Sequence, residues 1–125
     1  MSKNKTTFFY LSTCSTCTKI MAQLNLPKDV VVREIKSVGI TLDELTAMHA
    51  LAGSYENLFS RKAMKYRSLG LDKMELTEAD YKKYILMEYT FLKRPVLLTN
   101  SSIHIGNAGA TIKAGYEALH GNENN

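Results

Sequence analysis

A short apolar run with strand character, Thr6-Thr7-Phe8-Phe9-Tyr10-Leu11-Ser12-Thr13, gives way to a helical pattern, Thr18-Lys19-Ile20-Met21-Ala22-Gln23-Leu24. The junction between them is Cys14-Ser15-Thr16-Cys17, and these are the only two cysteines in the chain. A strand–turn–helix unit with a C-x-x-C as its turn constrains both fold and chemistry. A thiol in the first turn of a helix faces unsatisfied backbone N–H groups and the positive end of the helix dipole, which stabilise its anion. Cys14 is therefore a candidate thiolate nucleophile near neutral pH.

Helical phase separates the two sulfurs. Cys17, Ile20, Met21 and Leu24 recur at the i, i+3, i+4, i+7 spacing of a buried stripe, whereas Cys14 comes one turn earlier, at the helix mouth. Cys14 reads as the attacking thiol and Cys17 as a more sheltered resolving thiol. Three blander readings stand beside this one. A C-x-x-C is half of a zinc site, but a second pair is missing and His49, His104 and His120 show no ligand spacing. A structural disulfide across so small a loop stabilises little, and nothing suggests export. Cys17 alone as an inert core residue, with Cys14 the sole functional thiol, stays open.

At 125 residues the chain has the length of one domain, with room for a real core. It holds no apolar run long enough to span a bilayer, and Met1-Ser2-Lys3-Asn4-Lys5 leads into a strand without a signal-peptide apolar region. A cytoplasmic location is expected, where a C-x-x-C is more often reactive than structural. The formal charge of +4 suits anionic substrates or acidic protein surfaces and is too small to argue for direct nucleic-acid binding. The densest basic stretch is Arg61-Lys62-Ala63-Met64-Lys65-Tyr66-Arg67, with Arg61 and Lys65 read on one helix face; a solvated face is the default for such charges.

After the turn Asn25-Leu26-Pro27-Lys28-Asp29, the β-branched run Val30-Val31-Val32-Arg33-Glu34-Ile35 reads as a second strand, completing a βαβ unit with parallel strands. Thr41-Leu42-Asp43-Glu44 is a capping box opening a helix to about Ala52, stopped by Gly53. A further helix is expected from Tyr55 to about Leu69, ended by Gly70. A third cap, Thr77-Glu78-Ala79-Asp80, opens a helix with Tyr81, Tyr84, Ile85 and Leu92 on one side. The tyrosines and methionines of this region follow helical spacing and read as core packing. Pro95-Val96-Leu97-Leu98-Thr99 and Ser102-Ile103-His104-Ile105-Gly106 then look like a hairpin turning at Asn100-Ser101. His104, between two isoleucines, is expected on the polar face. Ile112, Gly115, Tyr116 and Leu119 mark a closing helix, and the polar tail Gly121-Asn122-Glu123-Asn124-Asn125 is expected to fray. The order β-α-β, helical insertion, β-β-α is that of an α/β thioredoxin-like fold with a mixed sheet: one domain over residues 1–125 with an insertion at about 41–92.

With these elements in place, the chain resembles the ArsC/Spx family, which includes glutaredoxin-dependent arsenate reductases and the Spx transcription regulators. The resemblance covers nearly the whole chain. It rests on Cys14-Ser15-Thr16-Cys17 after the first strand, on Gly53 followed by Leu58-Phe59-Ser60-Arg61-Lys62, and on Phe91-Leu92-Lys93-Arg94-Pro95-Val96, which looks like the family's R-P-[IV] signature. It implies a cis peptide bond before Pro95 and places that proline and Arg94 beside the cysteine loop. A guanidinium there would stabilise a thiolate and could grip a tetrahedral oxyanion with two parallel hydrogen bonds. Arg61 would be the second cation for the anion. Two departures stand out. The reductases carry a third arginine after the last strand, where this chain reads Ile105-Gly106-Asn107-Ala108-Gly109; they also commonly lack a cysteine at the position of Cys17, which Spx proteins have.

The resemblance supports two functions of different kind. The first is an arsenate reductase-type thiol oxidoreductase, in which Cys14 attacks, Arg61 and Arg94 neutralise the anion, and Cys17 or a small thiol resolves the adduct. No bound metal or organic cofactor is implied; glutathione with glutaredoxin, or thioredoxin, would return the electrons, and an oxyanion or disulfide would be the substrate. The second is an Spx-like redox-sensing regulator that docks on RNA polymerase, with Gly53 at the position of a partner-contacting glycine. A general thiol–disulfide oxidoreductase acting on another substrate also fits the cysteine loop.

Overall fold

The computed structural model of the protein describes residues 5–121. The polar tail beyond Gly121 therefore lies outside the described residues. The chain divides into two compact units, one formed by residues up to Val38 together with those from Arg94 onward, the other by Gly39–Lys93.

The first unit is built on a mixed sheet of β1 (Thr7–Tyr10), β2 (Val31–Glu34), β3 (Val96–Leu98) and β4 (Ile103–Ile105), in the order β2-β1-β3-β4. β1 and β2 run parallel, while β3 is antiparallel to both β1 and β4. The β1–β2 crossover contains α1 (Ser15–Leu24), and α5 (Gly109–His120) follows β4. This is the thioredoxin-like order expected from the sequence. The β3–β4 turn closes at Asn100-Ser101, with Thr99 N–H donating to the Ser102 carbonyl at 2.9 Å.

Register decides which side chains α1 and α5 cover. Val32, Phe8, Leu97 and His104 are cross-strand neighbours and so share one face of the sheet. Phe8 and Leu97 are buried there with Ile20 and Leu24 of α1 and with Val30, while Met21, Ile112 and Leu119 pack against the cluster. Each fully buried side chain of this kind contributes about 1.5–3 kcal/mol. Gly115 is where α5 comes closest: a Cβ there would lie 3.2 Å from Leu97 Cδ2 and 3.5 Å from Leu24 Cδ2.

His104 corrects the sequence reading. It stands in the Phe8–Leu97 row, half-buried, and lines a cavity with Leu24, Leu97, Thr111 and Gly115. Its Nε2 is 2.9 Å from Ser102 Oγ. Alternation with Ile103 and Ile105 identifies two faces but not which of them the helices cover. Burial lowers the imidazole pKa from its ordinary value.

In the second unit, α2 (Leu42–Ala52) and α4 (Glu78–Met87) begin at the two capping boxes read from sequence. Glu44 N–H donates to Thr41 Oγ1 at 3.1 Å, and Thr41 N–H donates to Glu44 Oε1 at 2.9 Å. Gly53 ends α2 at φ +89°, a left-handed conformation that favours glycine.

The continuous helix expected from Tyr55 to Leu69 does not form. A short 3-10 turn, Glu56–Leu58, is followed by extended Phe59 and then by α3, Met64–Ser68. Phe59 bridges Leu92 in antiparallel fashion, flanked by hydrogen bonds from Ser60 N–H to the Phe91 carbonyl and from Lys93 N–H to the Leu58 carbonyl. The Phe59 ring stacks on Phe91 at 5.1 Å and lies 4.9 Å from Tyr81. Burying these aromatics outweighs continuing a helix through the segment. Arg61 consequently precedes α3 and does not share a helix face with Lys65. Leu92 likewise lies beyond the end of α4, in the bridge.

Two measurements check this packing. Gly115→Val should destabilise the protein by about 1–3 kcal/mol in chemical denaturation, since added methyl groups must displace Leu97 and Leu24. For His104, a folded-state pKa below the unfolded one means that the unfolded chain binds the proton more readily. Its contribution to stability is present above the ordinary histidine value of roughly 6.5 and is lost as pH falls through the lower folded value. The urea midpoint should therefore drop between about pH 7.5 and about pH 5.5, and His104→Gln should flatten the drop. Equal drops in both proteins would remove His104 as its source.

Candidate active site

Cys14 is the N-cap of α1, in extended conformation at φ −98° and ψ 109°. It closes the turn Leu11–Cys14, with its N–H donating to the Leu11 carbonyl at 3.0 Å, and its own carbonyl accepts the Thr18 N–H at 3.2 Å. The sulfur is half-buried, and no acidic residue occupies the first turn of α1 to oppose an anion. Cys17, one turn on, has no exposed surface and belongs to the stripe of Ile20 and Leu24. Both cysteines are free thiols.

These surroundings drive the two thiols apart in acidity. Burial pushes the Cys14 thiol up, but the Cys17 amide and side chain, the Arg94 guanidinium and the Thr16 amide outweigh it, so its pKa lies below the ordinary thiol value. Cys17 is pushed up to about 11, first by burial and then by hydrogen bonding and charge from Cys14; the Leu11 backbone and Arg94 act in the opposite direction. Of the two sulfurs, Cys14 gives up its proton the more readily and Cys17 holds its own the more tightly.

Arg94 lies two residues before β3, and the Arg94–Pro95 peptide is cis. Pro95 is buried, and its carbonyl accepts the Gly106 N–H at 2.9 Å. The sheet unit thus brings Arg94 within electrostatic reach of both thiols, while Pro95 lines a cavity with Ile20, Leu97 and Gly106.

Arg61 and Gly53 belong to the Gly39–Lys93 unit. Arg61 Nη2 donates to Glu56 Oε2 and to the Tyr81 hydroxyl, each at 2.8 Å, and the guanidinium lies 5.6 Å from the centre of the Tyr81 ring. Glu56 is the main reason its pKa is raised. Gly53 is exposed. The loop from Gly106 to Ala108, where a third arginine is absent, joins β4 to α5, with Gly106 at φ +93°.

One residue at the cysteine loop went unread in the sequence. Glu34, the last residue of β2, accepts hydrogen bonds from Ser12 N–H at 2.9 Å and from Ser12 Oγ at 3.1 Å. Its one signal in the sequence is a carboxylate next to the end of a β-branched run. Among the described residues, no group of three or more His, Cys, Asp or Glu side chains is placed to hold a metal, and no helix is long and apolar enough to cross a membrane.

The same architecture recurs in solved structures. The YffB protein is 23% identical with a TM-score of 0.73, covering 91% of this chain and 98% of its own. An ArsC family related protein from Bacteroides fragilis is 24% identical at a TM-score of 0.72, over 90% and 99%. An arsenate reductase from Vibrio cholerae is 16% identical at 0.66, over 94% and 98%. Likeness at these identities carries the fold. No curated protein matches the sequence. The ArsC family profile, however, matches residues 9–114, which include the cysteine loop, the inserted helices and the Arg94–Pro95 segment. The chain belongs to the ArsC family.

Proposed function

We propose that this protein is an arsenate reductase-type thiol oxidoreductase that uses the Cys14 thiolate as nucleophile. The observation that carries the reading is the opposed acidity of two adjacent thiols, one lowered and one raised, under a shared arginine. Family membership and the arsenate reductase named among the structural relatives support the choice of oxyanion.

In this mechanism Cys14 attacks the arsenic of arsenate, an oxygen leaves as water, and a thiolate–arsenic bond forms. Arg94 supplies charge-assisted hydrogen bonds to the anion. A second thiol then attacks the Cys14 sulfur. The sulfur–arsenic bond breaks, its electron pair goes to arsenic, and arsenite departs as a Cys14–Cys17 disulfide forms. The two thiols have given up two electrons and arsenic has gained them. Cys17 is suited to wait its turn, because part of what suppresses its ionisation is the hydrogen bonding and charge of Cys14. Capping Cys14 with arsenic removes that contribution and eases loss of the Cys17 proton. Thioredoxin, or glutathione with glutaredoxin, would return the disulfide to the dithiol by exchange.

A second reading is an Spx-like redox-sensing regulator of RNA polymerase. It is favoured by the retained Cys17, by the absence of a cation between Ile105 and Gly109, and by exposed Gly53 at the end of α2. A missing guanidinium withholds about 1.5–3 kcal/mol of charge-assisted binding from an oxyanion.

Arsenate-dependent NADPH oxidation, coupled in parallel to the thioredoxin and the glutathione/glutaredoxin systems, separates the two readings. Turnover is expected with one of them and should vanish in Cys14→Ser. Absence of turnover in both, with Cys14 still alkylating fast at neutral pH, would reject the reductase and favour the regulator. Cys17→Ser should keep the first chemical step, formation of the Cys14–arsenic adduct, yet lose arsenite release and recycling by thioredoxin; undiminished multiple turnover would remove Cys17 from resolution. Arg94→Ala should slow Cys14 alkylation by iodoacetamide at neutral pH roughly three- to ten-fold, by raising the thiol pKa. An unchanged pH profile would take Arg94 out of the site.

A further inference from the structure

Glu34 pairs in register with Tyr10, so β1 and β2 end side by side. From that position its carboxylate accepts hydrogen bonds from both loops that leave the sheet there. Oε2 takes Ser12 N–H at 2.9 Å and Ser12 Oγ at 3.1 Å; Oε1 takes Lys36 N–H at 3.0 Å and Ser37 N–H at 2.7 Å. An ionised carboxylate has two oxygens, each able to accept twice, and no donor of its own. Donors fill that capacity on both sides. A glutamine in the same place would turn its NH2 toward one of the two donor pairs, and an aspartate is a methylene too short to span them.

Ser12 is the second residue of the Leu11–Cys14 turn, which closes through the Cys14 N–H and the Leu11 carbonyl. Ser12 and Thr13 are exposed, so packing does little to hold the tip of this turn. Its backbone torsions nevertheless determine where Cys14 leaves the turn and where Sγ lies relative to the Thr16 and Cys17 amides.

We infer that Glu34 is a positioning residue for Cys14: by stapling the β1–α1 turn to the loop after β2, it holds the sulfur against the amides at the mouth of α1. The inference rests on the reading of Cys14 as the nucleophile. Glu34 acts through Ser12 and the turn and touches no reacting atom. Hydrogen bonds from the backbone of Ser12 and Ser37 lower its own pKa to about 2, so the clamp is ionised at any pH at which a thiol is assayed.

The test is the pH dependence of Cys14 alkylation by iodoacetamide in the full reduced protein, resolved from Cys17 by peptide mass spectrometry. Wild-type protein should titrate below the ordinary thiol range. Glu34→Gln should move the midpoint upward and slow alkylation at neutral pH roughly three- to ten-fold. Asp80→Asn, which weakens the capping box of α4, serves as a variant of lowered melting temperature whose Cys14 profile stays that of wild type. A Glu34→Gln protein that melts lower yet keeps the wild-type profile would overturn the inference, leaving Glu34 a purely structural clamp. If Glu34→Gln does not fold, Ser12→Ala removes only the Oγ bond and should give a smaller upward shift; no shift would again overturn it. A wild-type Cys14 that titrates as an ordinary thiol would overturn the nucleophile reading, and this inference with it.

Discussion

Cys14 can serve as the cap of α1 only because the next turn of that helix is committed to the core. Cys17, Ile20 and Leu24 are buried on α1, and Ile20 and Leu24 pack with Phe8 and Leu97 of the sheet. That burial sets both the rotation of the helix about its axis and the height of its first turn above β1. One turn back from the buried stripe, a side chain emerges at the helix mouth, half covered and facing free amides. The same rotation that exposes one thiol encloses the other, so a single packing arrangement produces two sulfurs of opposite acidity.

Charge around this arrangement is divided between two ionised groups with separate tasks. Arg94 acts on the sulfurs directly, and its position follows from β3, which pairs with β1 and brings the residue before Pro95 to the cysteine end of the sheet. Glu34 has the opposite sign and would oppose a thiolate if its charge were free. Its oxygens are instead engaged by the donors of two loops, which turns a potential antagonist into a fastening. In the inserted unit, Arg61 is held by Glu56 and Tyr81, which fixes the orientation of its guanidinium.

Much of the fold was legible because its signals act over one turn or one strand. The boxes Thr41/Glu44 and Thr77/Asp80 mark helix starts through groups three residues apart, and the phase of Cys17, Ile20 and Leu24 marks a buried stripe without reference to anything else in the chain. The segment from Tyr55 to Leu69 misled because local pattern had to compete with a distant partner. Phe59 is drawn into an extended bridge by Leu92, and with it Arg61 leaves the helix on which periodicity had placed it. His104 misled for a related reason, since alternation is symmetric and only the register with Leu97 shows which face is covered.

What the sequence by itself determined is therefore the chemistry on offer and the local elements that present it: a thiol at a helix mouth, a second thiol in the stripe behind it, an arginine before a proline that opens a strand, and capped helices between them. Tertiary structure decided how those groups are tuned and fastened. The Glu34–Ser12 clamp joins residues 22 apart in sequence. The influence of Arg94 on Cys14 likewise arises only once β3 lies beside β1. Such couplings depend on strand pairing and register, which place atoms within hydrogen-bonding or Coulombic reach whatever their separation along the chain. No pattern of neighbouring residues encodes them.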